Sequence, residues 1–176
     1  GQDVTRTSQM HRAKLISKVM QDPKIGTIEN MTIFENMAFA LKRGQKRGLQ
    51  LFSSKDRTQL FKEKLTIVNM GLEDRLDELV SNLSGGQRQI LSIIMAMLQD
   101  SRILLLDEIT AALDPVSSEA TIKLTNKIIR KQNLTCIMIT HNMAHAIEYG
   151  DRLLLLKNGT FIKEYDLLTK SKLPPS

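Results

Sequence analysis

Two regimes of hydrophobic patterning divide the chain. Short apolar runs bounded by polar or turn residues, at 15–20, 102–108 and 134–140, read as strands. Residues 151–157 and 160–165 flank Asn158-Gly159, a strong hairpin signal. A further short strand is expected at the very start. Between 27 and 79 the period becomes helical. Asn30 or Thr32 can cap a helix to about Arg43, with Ile33, Met37 and Leu41 on one side. Residues 44–48 read as a loop, and a second helix is expected from near Ser54 to Met70, presenting Phe61, Leu65 and Val68 and stopped by Gly71. Ser84 can cap a third helix whose remainder, 90–98, is apolar nearly all round and must therefore be buried. Pro115 opens a fourth, to about Arg130. Strand, helix and strand in succession imply parallel pairing through a right-handed crossover. The fold class is α/β: a mostly parallel sheet with flanking helices and a helical insertion.

Composition narrows the class. At 176 residues the chain suits one ordinary domain, with 41% hydrophobic and 25% charged residues. No apolar run approaches the roughly 20 residues that span a bilayer, and the first residues lack a signal peptide's pattern, so a cytosolic protein is expected. The lone Cys136, inside an apolar run, reads as a buried structural thiol. The net charge of +6 is spread among interleaved acids and accompanied by only 4% aromatics, which points to a solvated basic surface rather than a nucleic-acid site.

Candidate chemistry gathers at a few turns. Ser84, Gly85, Gly86 and Gln87 stand at a helix N-terminus, where free N–H groups, a hydroxyl and the positive dipole end suit a phosphate. Asp107 and Glu108 end a buried strand, the place where open α/β sheets hold ligands. There Asp107 can bind Mg²⁺ and Glu108 can polarise a water for attack on a phosphoryl group. Gln21 follows the strand at 15–20 and can ligate a metal through its amide oxygen, although a loop Gln is also commonly just solvated. His141 and His145 have the spacing of a zinc pair, but Asn142 replaces the Glu that such a site uses as base.

The ordered set VMQDP, LSGGQ, ILLLDE, AALD and ITH resembles the ATP-binding subunit of ABC transporters across essentially the whole chain. The DEITAALDP and THNM runs are most similar to the subunits paired with small-solute uptake permeases. The resemblance implies a P-loop NTPase-like ABC ATPase core. Its parts would be a partial α/β core with the Q-loop at 1–26, a helical subdomain ending in the signature helix at 27–98, and an α/β core with Walker B, D-loop, H-loop and C-terminal hairpin at 99–176. It implies ATP and Mg²⁺ as ligands, with Asp107 and Gln21 on the metal, and Glu108, His141 and Gln21 in catalysis. Ser84, Gly85, Gly86, Gln87 and Asp114 would meet the nucleotide of a second subunit in a head-to-tail dimer. A transmembrane permease is the other implied partner, which would hold the protein peripherally on the inner face of the cell membrane.

Three departures accompany the resemblance. Ile109 stands where the family usually has Pro, and Met95 where its signature helix often has Arg; neither removes a catalytic group. The third is larger: none of the nine glycines is followed by Lys, so the motif G-x-x-x-x-G-K-[ST] does not occur. The expectation is a chain that begins after the P-loop and the adenine-stacking aromatic, an ATPase in full length but inactive as these 176 residues alone. Two rivals share some motifs. A DNA-repair or chromosome-maintenance ATPase head would need a long coiled coil between Q-loop and signature, yet only 61 residues separate Gln21 from Leu83, without sustained heptads. A soluble translation factor would carry a second cassette.

Overall fold

The computed structural model describes residues 3–43 and 55–170. They belong to two compact units, Gly1–Met138 and Ile139–Ser176. The loop expected at 44–48, the helix start at Ser54 and the tail beyond 170 lie outside the described residues.

Residues 3–8, near the expected opening strand, form no strand, and the polar stretch that follows is helical. Ser8 accepts the His11 N–H at 3.2 Å and starts α1 (Gln9–Leu15), with Arg12 and Lys14 in its last turn. Residues 9–14 carry no two-residue alternation for a strand to bury, so the capped start prevails. The chain then enters β1 (Ile16–Val19). After it come α2 (Pro23–Gly26), α3 (Ile33–Leu41), α4 (Lys55–Thr66), α5 (Gly85–Ala96), β2 (Ile103–Asp107), α6 (Pro115–Lys131) and β3 (Thr135–Ile139). β1 and β2 pair in parallel, from Ile16 opposite Ile103 to Val19 opposite Leu106, and the sheet order is β1-β2-β3.

Thr32 caps α3 through a reciprocal box with Glu35. Its inner face, Ile33 and Met37, is fully buried, as are Phe61 and Leu65 of α4, and the rings of Phe34 and Phe61 meet edge to face at 5.2 Å. α4 stops at Thr66, four residues short of the expected end. The Thr66 hydroxyl bonds back to Lys62 O, and Asn69 and Gly71, both with positive φ, turn the chain away. The linking segment carries two 3₁₀ turns, Leu72–Asp74 and Val80–Asn82, that the helical period did not reveal. α5 is buried continuously from Arg88 to Ala96. Fully buried Gln89 finds no partner for either amide atom among the described residues.

The strands are less covered than their apolar character suggests. In β2, Leu104 and Leu106 are buried while Ile103 and Leu105 are only half-buried. β3 has no fully buried residue, and Ile137 and Ile139 are 55% and 59% exposed. It is an edge strand, as is β1, but whereas β1 buries Ser17 and Val19, no residue of β3 is fully buried among the described residues. Cys136 is half-buried, enough to push its thiol pKa up to about 11 and keep it protonated.

The second unit contains α7 (Met143–Glu148), the antiparallel pair β4 (Leu153–Lys157) and β5 (Thr160–Tyr165), and α8 (Leu167–Lys170). Asn158 and Gly159 both have positive φ, as a two-residue hairpin turn requires. The buried Lys170 ammonium donates to Tyr149 O and Gly150 O just past α7.

One side chain organises the entry to α3. Buried Asn36 accepts the Ile28 N–H at 2.7 Å and donates to the carbonyls of Ile28, Thr32 and Met31. Asn36→Asp turns its donor end into an acceptor facing three carbonyls. Chemical denaturation should show a loss of about 2–3 kcal/mol, and an unchanged midpoint would contradict this account.

Candidate functional site

The parallel register brings the C-terminal ends of β1 and β2 to one edge of the sheet. Asp107, the last residue of β2, receives the Lys18 ammonium of β1 at 3.0 Å, with both groups partly exposed. Gln21 lies two residues past β1 in an exposed bend, held by Asp22, whose carboxylate caps α2 by accepting the Lys24 N–H at 2.9 Å. Glu108 adopts φ 46°. Among the described residues the other non-glycine residues with positive φ are Asn69, Asn133 and Asn158, a type that tolerates this region. Glu has no such ease, so the tertiary structure holds its backbone in a sparsely populated region, as active-site residues often are. Ile109, 2% exposed, anchors the next position in the core, a packing role for the residue that departs from the family pattern.

Ser84 caps α5 as expected. Its Oγ accepts the Gln87 N–H at 3.2 Å, and Gln87 Oε1 accepts the Ser84 N–H at 3.1 Å. This box uses one lone pair of each side-chain oxygen. The first N–H groups of the helix, on Gly85 and Gly86, have no intrahelical acceptor, and the Ser84 hydroxyl and the Gln87 amide nitrogen add further donor capacity. The two glycines are not needed by the chain's own geometry. Neither has a positive φ. A Cβ at Gly85 would lie 3.6 Å from Leu113 and one at Gly86 3.5 Å from Ser117, both ordinary contacts.

The same contacts set the signature turn beside the start of α6. There Asp114 Oδ1 accepts the N–H groups of Val116 at 3.1 Å and Ser117 at 3.0 Å. The Ser117 side chain and these N–H groups hold the Asp114 carboxyl below the usual carboxylate range. Asp114 is thus first a helix cap, with its second carboxylate oxygen free of those bonds. His141, in the second unit, is exposed just past β3. Asn142 caps α7 by accepting the His145 N–H at 3.1 Å, and His145 is buried with its ring against Tyr149. One imidazole outside and one inside do not make a zinc pair.

Sequence reading missed three participants: Lys18, Glu29 and Arg88. Lys18 carried a signal, a single cation in an apolar strand two residues before its end. Arg88 and Glu29 carried none, because their pairing joins positions 59 residues apart.

A carboxylate-tipped parallel sheet edge and a capped helix N-terminus with free backbone N–H groups are features of an α/β protein that can hold phosphate groups. The family model described as ABC transporter matches residues 1–111, and the chain belongs to this family. It is 43% identical over 159 residues to the tyrosine transport ATP-binding protein of Clostridioides difficile, covering 90% of this chain and 63% of that one. It is 33% identical over 166 residues to the methionine import ATP-binding protein MetN of Haemophilus ducreyi, covering 93% and 45% respectively. The chain therefore spans less than two thirds of the length of these curated relatives. An ATP-binding cassette solved as a dimer in a post-hydrolysis state with ADP and Pi aligns with TM-score 0.71 and 28% identity, over 90% of this chain and 65% of that one. Clostridium perfringens cbiO1 shares the fold, with TM-score 0.77 and 23% identity, over 93% and 62%.

Two outcomes follow from the geometry. Gly86→Ala should leave the denaturation midpoint of the protein unchanged or slightly raised, whereas Ser84→Ala should lower stability by about 1 kcal/mol through loss of the cap. Because the folded Asp114 carboxyl is depressed below its ordinary 3.8, the stability it contributes is present above about pH 4 and lost as pH falls through the lower folded value. The wild-type advantage over Asp114→Ala, followed by denaturation at several pH values, should shrink on acidification; a constant difference would contradict this.

Proposed function

We propose that the full-length protein is the ATP-binding and ATP-hydrolysing subunit of an ABC transporter for small-solute uptake. These residues would form the signature-and-carboxylate half of its composite site. The observation that carries the reading is the capped N-terminus of α5, with free first-turn N–H groups beside two glycines that meet only ordinary contacts in this chain. A phosphate accepts hydrogen bonds and donates few, so it is the complementary ligand. In a head-to-tail dimer, Ser84, Gly85, Gly86 and Gln87 would bind the γ-phosphate of ATP held by the second subunit, with Asp114 beside that interface.

The opposite face of the reading is the sheet edge. Asp107 and Gln21 supply hard oxygen donors of the kind Mg²⁺ takes alongside phosphates, and Asp107 is accessible enough to be shared. Bound there, the ion would neutralise phosphate charge. Glu108 would accept a proton from the water that attacks the γ-phosphorus as the bond to ADP breaks, giving ADP and phosphate. His141 would donate to the γ-phosphate. Walker A chemistry has no counterpart in this sequence, so the 176 residues alone are not expected to bind Mg-ATP tightly in a calorimetric titration.

No helix among the described residues is long and apolar enough to cross a membrane. The helical segment instead exposes Ile28 and Phe39, with Leu79 bridged to Thr32 nearby, a surface suited to a polytopic permease on the cytoplasmic face. The names of the relatives, tyrosine transport and methionine import, make amino acids the first solutes to assay.

The test uses the full-length protein. Glu108→Gln should lower kcat about 10²–10⁴-fold and accumulate an ATP-bound dimer in light scattering. Wild-type-like turnover in that variant, or no ATP-dependent dimer, would overturn the reading.

A further inference from the structure

The segment that follows Gln21 is fastened to the signature helix at several points. Arg88, in the first turns of α5, is buried with its side chain 8% exposed, and its Nη1 lies 2.5 Å from Glu29 Oε1. Its Nη2 donates to Val80 O at 3.1 Å. The backbone repeats the link: Ser81 N–H donates to Glu29 O at 3.1 Å and Val80 N–H to Met31 O at 3.0 Å. Ahead of Glu29, α2 packs so closely on α5 that a Cβ on Gly26 would stand 2.5 Å from the Ser92 hydroxyl. Residues 23–31 are therefore tied to the N-terminal half of α5 by the Arg88–Glu29 pair and the Gly26–Ser92 approach, and to the 3₁₀ turn at Val80–Asn82 by the backbone. A buried guanidinium stripped of its carboxylate must find a new partner or shift. Arg88 directly follows Gln87, so such a shift reaches the capping box.

We propose that Glu29 is a positioning residue for the signature turn, acting through Arg88 to hold Ser84–Gln87 in register with the segment behind Gln21. The inference rests on the proposed ATPase reading and deepens it. Through this latch, whatever displaces residues 23–31 displaces the donors that face the partner's nucleotide. Glu29 does not touch nucleotide; its carboxylate fixes the guanidinium, and the guanidinium fixes the helix start.

Glu29 is 46% exposed, so its variants should fold even where Arg88 variants do not. In the full-length protein with its permease, Glu29→Gln should lower kcat about tenfold while KM for ATP changes less than about twofold, since the Gln21 side of the site is intact. Glu29→Asp should recover most of kcat. In the Glu108→Gln background, adding Glu29→Gln should raise the ATP concentration needed for dimer formation by a similar factor. Arg88→Met with Glu29→Gln should be no worse than Arg88→Met alone, the non-additivity expected of residues that act as a pair.

Unchanged kcat and dimerisation in Glu29→Gln, additive effects in the double variant, or loss confined to thermal stability would each overturn the latch. If Glu108→Gln alone forms no ATP-dependent dimer, the ATPase reading falls and the latch with it.

Discussion

Burying α5 along nearly its whole length while leaving its first turn open is the constraint on which the first unit depends. α2, α3, α4, α6 and β1 all pack on this helix. Nine consecutive residues from Arg88 to Ala96 are withdrawn from water. The hydrophobic effect fixes the body of the helix without regard to direction, and the capping box then fixes where it begins. Together they fix where the first-turn N–H groups of the helix stand. A helix anchored this firmly can keep two glycines at its start without fraying.

The same burial creates polar obligations. Arg88 lies inside and is answered by Glu29 and Val80 O. Arg43, at the far end of the body, is drawn between Ser17, Ser101 and Ala96 O, and desolvation lowers its pKa. Gln99 donates to Leu41 O and Arg43 O and thereby closes the end of α3. These contacts tie the helical segment to β1 and to the approach of β2 with charge-assisted and neutral hydrogen bonds where apolar contact alone would leave the orientation loose. Not every obligation is met: among the described residues neither amide atom of buried Gln89, nor Arg43 Nε, has a hydrogen-bond partner.

Strain and charge meet at the end of β2. Glu108 is held at positive φ directly after the strand, and Asp107 is pinned by Lys18 from the neighbouring strand. The pair of carboxylates is thereby split: one turned by the backbone, the other balanced by a cation.

The residues by themselves determined a good part of this protein. Helical spacing and caps located α3, α5 and α6 to within a residue or two, since Thr32, Ser84 and Asp114-Pro115 act on N–H groups within three residues. Asn158-Gly159 fixed the hairpin for the same local reason. The apolar runs located β1, β2 and β3, and the LSGGQ and LLLDE motifs marked the candidate site. Locality also explains the misses. The expected opening strand did not form in residues 3–8, the Ser8 cap started a helix in the polar stretch beyond it, and α4 ended early on turn residues at 69 and 71. Burial of β3 was overestimated because hydrophobicity reports what a strand can bury, whereas its tertiary surroundings decide what it does bury. Only the tertiary structure decided which charges meet. Lys18 with Asp107 and Glu29 with Arg88 are separated by 89 and 59 residues, and no propensity or period acts over such a distance; packing alone closes it.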